Sequence, residues 1–504
     1  MIFRPQLKDI KIIGFYLGRL VLGLGCWFLL PMACALVFNE PDAFLDFSIS
    51  FVFSLAVGLL LNLICVFEEK ETIIDWMHGM IAVALSWIVA MFLGAIPLWL
   101  SGHWGSFLDA CFDSMSGFAT TGLVLGQDID HLSYSCNLWR HLIMFIGGQG
   151  IVIVLLSLSN VSTSSYSLYL GEAREERILP NLLQTARFIW LVSLVFLILG
   201  SAALAVAMNV SGLPWIDSIF QGICIFMAGF DTGGFAPQSQ NIMYYHSFLV
   251  EMVCMVVVLF GAISFSTHYG LWTGNRRTLF KNSEVRALLL SIFVLSAVVI
   301  IGLGQRGMYV TGNGLFRKGV FHLISGHVGA GFSTVYAQHF SSFSLWNPLS
   351  VLPIVIAMGL GGCVGSTTGA IKMLRISLLF KTFRSEIKRL MFSDSTVVVE
   401  KLNHIKTIIV NDKLVKNALM ITLAFLALYL VGAAAGIYYG YSFQDSLFES
   451  VSAAGNVGLS AGITQPAMPS MLKVVYILEM WIGRLEFIAV FVMIGFFVSW
   501  LKGK

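Results

Sequence analysis

The sequence predicts an all-α polytopic membrane protein. Its plan is four pseudo-symmetric helix–pore-helix–loop–helix units around a central pore, behind two extra N-terminal transmembrane helices. Three observations predict it. Of 504 residues, 57% are hydrophobic and only 11% charged, against about 25% charged in a soluble domain. Apolar runs of roughly 20 residues, long enough to cross ~30 Å of hydrocarbon, recur from end to end. One glycine-bearing string occurs four times, each copy behind a short apolar stretch and between two long ones.

The elements follow in order. Residues 1–70 hold two spans, 12–37 and 47–67, joined by a polar link at 39–46. The first run exceeds the ~7–15 residue core of a signal peptide and lacks a convincing cleavage site, so it reads as a permanent span. The first unit, 71–165, reads as a span at 73–100, a short helix at 106–116 that cannot cross, and a span at 138–158. The second, 166–275, repeats this with 188–208, 214–228 and 248–269. The third, 276–385, has 287–303, 314–325 and 348–371. The last region, 386–504, opens with a basic cytoplasmic linker and continues with 418–438, 443–452 and 472–500.

The repeated strings read Ser-Gly-Phe-Ala-Thr-Thr-Gly-Leu at 116–123, Ala-Gly-Phe-Asp-Thr-Gly-Gly-Phe at 228–235, Ser-Gly-His-Val-Gly-Ala-Gly-Phe at 325–332 and Ser-Ala-Ala-Gly-Asn-Val-Gly-Leu at 452–459. A Phe precedes three of them at the same offset (Phe112, Phe321 and Phe448), and Cys224 takes that place in the second. Gly122, Gly234, Gly331 and Gly458 occupy one register position, preceded by Thr120 and Thr121, Thr232 and Gly233, Gly329 and Ala330, and Asn456 and Val457. A membrane tolerates non-helical backbone only where protein or water covers it. Glycine lets carbonyls crowd an axis, and four such strands can replace the hydration shell of a cation. Each preceding short helix points its carbonyl end inward, which favours positive charge. No carboxylate ring sits at the centre of the repeat, which argues against a divalent cation. Asp231 is the exception and is expected beside the pore.

With the N-terminus in the cytoplasm and every long helix crossing, most of the 30 Lys and Arg fall inside, densest at 372–416. Arg140, Arg306, Arg317, Lys318 and Lys473 fall outside. This is the positive-inside pattern, and it puts all four strings on the outer side. Asp109, Asp113, Asp128, Asp130, Asp217, Asp231, Asp445 and Glu449 then form a negative mouth that concentrates cations.

Two features lie below the strings. Residues 359–370 carry Gly359, Gly361, Gly362, Gly365 and Gly369, with Ser366, Thr367 and Thr368. Each glycine costs a helix about 1 kcal/mol against Ala, so the span is expected to break there into a movable plug. Tight helix packing is the plainer reading. Lys372 and Arg375 would mark its cytoplasmic exit. The second feature is Arg484, about 11 residues or roughly 16 Å inside the last predicted span. Charge at that depth is functional by default. No residue on its own helix face neutralises it, so it is expected to face the pore and donate to carbonyls of 359–370. An interhelical salt bridge is the alternative. Glu479 and Glu486 are candidates to pair with other segments, and Gly147-Gly148-Gln149-Gly150 reads as a close helix contact.

On the four strings, 359–372 and 483–486, the chain resembles the Trk/Ktr/HKT superfamily of potassium transporters, most closely the larger bacterial Trk type. The resemblance implies K+ as the transported ion, a homodimer in the inner membrane with both termini cytoplasmic, and a cytosolic nucleotide-binding gating ring of the NAD or ATP type. In plant relatives a Ser at the first filter Gly goes with sodium; Gly122 here favours potassium. The third string departs from the usual Thr-rich form with Val328-Gly329-Ala330. A sodium-permeable or non-selective monovalent cation pathway of the same architecture is the alternative.

An intramembrane enzyme would need a nucleophile–base pair or metal ligands at depth. HExxH is absent, and no His/Asp pair shares a deep helical face. The eight cysteines form no CxxC and read as free thiols in packed helices. Nothing points to nucleic acid. A scaffold that conducts nothing would leave the four strings unexplained.

Overall fold

The structure, a computed structural model, describes residues 6–66, 76–150, 182–341, 346–391, 400–403 and 407–502. The expected span ends at 67 and 73, the stretch 151–158, and the boundaries at 70/71 and 165/166 lie outside these residues.

The first span is Leu7–Trp27 followed by Leu29–Phe38, interrupted at Phe28. Asn39 ends it in the left-handed region at φ 56°, a conformation Asn tolerates. Pro41 then opens Pro41–Ile64, where its missing N–H costs nothing. These helices pack beside Trp76–Leu100.

The four units recur as expected. Their short helices are Phe107–Phe118, Trp215–Phe230, Phe321–His327 and Phe443–Ala454. The first and fourth start on Ser106 and Ser442, whose hydroxyls accept from Asp109 N–H and Asp445 N–H. This is N-capping, which satisfies donors the helix leaves free. In the third unit Gly312–Leu315 and a wider turn, Phe316–Val320, lead into the helix. The first long helices are Trp76–Leu100, Leu182–Val210, Ser283–Gln305 and Asp412–Tyr438.

The second long helices differ from expectation. None of the four is a continuous span. They stop at Gln149, Gly261, Leu360 and Arg484. In the second unit the chain resumes as Phe265–Trp272, bent by 98°, with Ser264 capping the new start. In the fourth it resumes as Ile488–Leu501, bent by 112°. There Glu486 at φ 49° and Phe487 at φ 72° reverse the backbone. Arg484 therefore ends a helix instead of lying within one. Hydropathy alone hides such breaks, because both halves are apolar.

Close packing holds each break against its short helix. A Cβ on Gly147 would stand 1.8 Å from Phe118 O, on Gly261 2.0 Å from Phe230 O, and on Gly483 1.9 Å from Ala454 O. The expected close contact at 147–150 is present, and it has partners in two other units.

The linker is more ordered than the sequence suggested. Met373–Met391 is helical across the expected boundary at 385/386. Lys401–Asn403 and Thr407–Ile409 form a small antiparallel pair, a minor addition to an otherwise helical chain. No disulfide joins the described cysteines.

Gly261→Ala should lower stability by about 1–3 kcal/mol or more, the cost of overpacking a tight contact. Thermal unfolding of purified protein checks this. An unchanged melting temperature would refute the packing account.

Candidate functional site: a ring of four strands

Each short helix ends in the same way. Thr120 N–H donates to Gly117 O at 2.9 Å and Thr121 N–H to Ser116 O at 2.7 Å. The second unit repeats this with Thr232 to Gly229 at 3.1 Å and Gly233 to Ala228 at 2.7 Å. The third has Gly329 to Gly326 at 3.2 Å and Ala330 to Ser325 at 2.8 Å, the fourth Asn456 to Ala453 at 3.2 Å and Val457 to Ser452 at 2.9 Å. These paired bonds make a Schellman cap, which requires one left-handed residue. That residue is Thr120 (φ 53°), Thr232 (φ 53°), Gly329 (φ 71°) or Asn456 (φ 54°). A β-branched residue in this region is strained, so the two threonines hold their conformation only because the surroundings fix it.

The caps orient the carbonyls. In a trans peptide the C=O points opposite to the following N–H. Since the N–H groups of Thr121, Gly233, Ala330 and Val457 turn back to the short helices, the carbonyls of Thr120, Thr232, Gly329 and Asn456 turn away from them. The next peptide is held likewise in three units. Gly122 N–H reaches Ser116 Oγ at 3.0 Å and Gly458 N–H reaches Ser452 Oγ at 3.0 Å. Gly234 N–H reaches Ala228 O at 3.4 Å. In the third unit Ser325 Oγ instead donates to Phe332 O at 2.8 Å.

The strands then close a circle. A Cβ on Gly122 would stand 2.1 Å from Gly233 O, and one on Gly234 2.2 Å from Ala330 O. On Gly331 it would stand 2.1 Å from Val457 O, and on Gly458 2.1 Å from Thr121 O. Each glycine thus sits against the carbonyl of the next unit, and the fourth returns to the first. All four glycines have positive φ, 94°, 78°, 67° and 95°. Here glycine meets both a dihedral and a steric requirement. The twelve residues singled out in the strings meet in one ring, and Val328-Gly329-Ala330 keeps the same geometry as its Thr-bearing counterparts.

Behind the ring a register pairing emerges that the sequence reading missed. The residue three before each string binds the N–H nine after its start. Asp113 accepts from Leu125 N–H at 2.6 Å, His322 from Thr334 N–H at 3.0 Å and Glu449 from Ala461 N–H at 2.8 Å. His322 donates through Nδ1 to Lys318 O, which leaves Nε2 free to accept. In the second unit the equivalents are Ile225 and Pro237. There the acceptor is missing, and so is the donor. Aligning the four strings over a wider window would have exposed this signal.

The pairing takes two acids of the expected negative mouth into the packing. Asp113 and Glu449 are buried and strap the strands. Asp109 is buried against Lys473, and Asp217 accepts from Tyr134 at 2.8 Å. Asp130 holds Ser239 N–H at 2.7 Å. Asp128 and Asp130 remain exposed. Asp231 is fully buried beside Gly148 and accepts from Gln149 Nε2 at 2.9 Å.

Above the glycines opens a vestibule of about 320 Å³, lined by Gly122, Gly331, Gly458, Asn241, Ser333 and their neighbours. Below the ring the space falls to about 30 Å³, bounded by Gly365, Ser366, Thr368, Gly369, Arg484 and Trp87. The segment that fills it lies between Pro348–Leu360 and Met373–Met391 and is non-helical, as its glycines predict. Gly361 (φ 71°), Gly365 (φ 70°), Ala370 (φ 62°) and Lys372 (φ 74°) set its path. Gly362 lies close under Ala262 O. Thr367 Oγ1 lies 3.0 Å from Phe230 O and from Gly261 O, and 3.2 Å from Thr232 Oγ1. Arg484 donates to Thr367 O and to Gly147 O, both at 2.7 Å. It therefore joins this segment to the break in the first unit. Glu486 pairs with Lys372 at 2.6 Å and with Arg375, as one of the two candidate acids was expected to do. Glu479 makes no ion pair among the described residues.

His322→Leu should cost about 1–3 kcal/mol, because it leaves Thr334 N–H buried without an acceptor. Ile225→Leu, at the unit that lacks the pairing, should cost less. Parallel thermal melts check this, and equal losses would contradict the pairing.

Comparison with known proteins agrees with this architecture. The chain of the potassium transporter TrkH from Vibrio parahaemolyticus, a crystal structure, aligns at TM-score 0.82 and 22% identity over 96% of this chain and 98% of that one. The Trk system potassium uptake protein TrkG of Escherichia coli is 27% identical over 508 residues, 97% of this chain and 99% of its own. An uncharacterized cation transporter of Methanocaldococcus jannaschii is 31% identical over 494 residues, 98% of this chain and 97% of its own. The model of a family described as TrkH, cation transport protein, matches residues 46–497. The chain belongs to that family, the TrkH cation transport proteins, and is not an enzyme.

Proposed function

We propose that the chain is a potassium uptake pathway. A partly dehydrated K+ passes a filter made by the carbonyls of Thr120 and Thr121, Thr232 and Gly233, Gly329 and Ala330, and Asn456 and Val457, backed by Gly122, Gly234, Gly331 and Gly458. The observation that carries this reading is the closed circle in which each glycine abuts the next unit's carbonyl. Such a ring offers backbone oxygens without fixed negative side chains, which suits a monovalent ion that must also leave. The potassium named in the TrkG relative supports the choice of ion.

Gating follows from the space below the ring. Gly361, Gly362, Gly365, Ser366, Thr367, Thr368 and Gly369 act as the plug. Arg484 pins it through Thr367 O, and its charge repels cations in the narrow space. Movement of the plug requires these bonds to break, and a cytosolic nucleotide-binding partner supplies the bias. In this reading the chain works as a homodimer in the inner membrane with both termini in the cytoplasm. Its domains are the N-terminal pair and four pore units.

Two outcomes test the proposal. In a potassium-transport-deficient strain the wild-type chain should restore growth at low potassium, and Gly234→Ser or Gly331→Asp should abolish rescue at normal membrane levels. Continued rescue by both would remove the filter assignment. In liposomes without any partner, Arg484→Gln should raise potassium flux at least several-fold. Unchanged flux from well-folded variant would remove its gate role.

A further inference from the structure

Glu479 lies in Ser470–Arg484 and is 1% exposed. Its Oε1 is 2.8 Å from Ser450 Oγ, and its Oε2 has no hydrogen-bond partner. The fold leaves room for the carboxyl: a Cβ on Gly432 would stand 2.0 Å from Oε1. The titratable groups around it are Tyr429 on Asp412–Tyr438 and Tyr476 on its own helix, with Glu449 on the fourth short helix acting on Tyr476. No Lys, Arg or His pairs with it among the described residues. Two other buried acids differ. Glu449 receives Ala461 N–H, Thr464 N–H and Ser460 Oγ–H, and Glu486 meets Lys372 and Arg375. Both are built as carboxylates.

The bonds around Ser450 decide the state of Glu479. One hydroxyl carries one proton, yet Ser450 Oγ stands 2.9 Å from Tyr429 O as well as 2.8 Å from Glu479. If Ser450 donates to Glu479, a carboxylate at membrane depth keeps that hydroxyl and the Gly432 backbone as donors, one oxygen without a hydrogen-bond partner and no cation. Buried charge of that kind is strongly disfavoured. If Glu479 holds a proton, it donates to Ser450 Oγ, Ser450 donates to Tyr429 O, and no charge remains. We infer that Glu479 is a proton-binding site, occupied as a neutral carboxylic acid that donates to Ser450. The site adjoins the ion pathway at two points. The next residue's carbonyl, Met480 O, accepts from Asn456 Nδ2 at 3.0 Å, and the Tyr429 hydroxyl lies 3.5 Å from Gly359 O. Loss of the proton would redirect Ser450 and load the fourth strand and the plug together.

Infrared difference spectroscopy of the purified chain in lipid tests the site without reference to transport. Wild type minus Glu479→Gln at neutral pH should show a protonated carboxylic C=O band that shifts in D2O. Ser450→Ala, which keeps the acid, should move that band to higher frequency. Absence of the band in the first comparison, or no movement in the second, overturns the site. The coupling rests on the transport reading and has its own readout. Potassium flux of wild type should fall as pH is raised, and that of Glu479→Gln should hold. Parallel decline overturns the coupling and leaves the infrared result standing.

Discussion

The structure depends on one constraint: backbone polar groups inside a membrane must find partners. A helix satisfies this within itself. A strand does not, and four strands meet here at membrane depth. The first two N–H groups of each strand are satisfied by the Schellman cap of its short helix, so the carbonyls that precede them turn away from the helices. In the proposed function these backbone oxygens are what hosts a cation. The pseudo-fourfold arrangement follows, because one cap supplies only one edge of a ring.

The same constraint explains the breaks. The second long helices stop where the short helices end, and glycines at three of those sites let helix backbone touch a strand's cap. Stopping the helices frees backbone groups. In the third unit the freed segment crosses beneath the ring and takes its partners from neighbours, among them Thr367 against Phe230 and Gly261. Arg484 sits at another break, where a helix C-terminus can carry positive charge, and its two carbonyl acceptors come from two units. Charge that would be costly inside a continuous helix is placed at an end with oxygens in reach.

Much of this was legible in the sequence. Hydropathy gave the spans, and repetition gave the ring, since a string that recurs four times behind a short helix has few other readings. The glycine count at 359–370 gave the non-helical segment, and the lack of a neighbour for Arg484 gave its need for distant acceptors. Three things were not legible. The bends at 262–264 and 485–487 lie inside apolar runs and are set by packing against the short helices. Of the acids assigned to a negative mouth, Asp113 and Glu449 are straps and Asp109 is in a buried pair, and charge counts cannot separate a strap from a field. The strap pairing spans a loop of variable sequence, and its acceptor changes from Asp to His to Glu, so identity conceals what register reveals. Pro237 opposite Ile225 was the available clue.

The most direct test of the central claim is to locate an ion. Crystals of the chain grown in rubidium or thallium salts should show anomalous density on the axis, enclosed by the carbonyls of Thr121, Gly233, Ala330 and Val457. Density confined to the outer vestibule, with none inside the ring, would contradict the account.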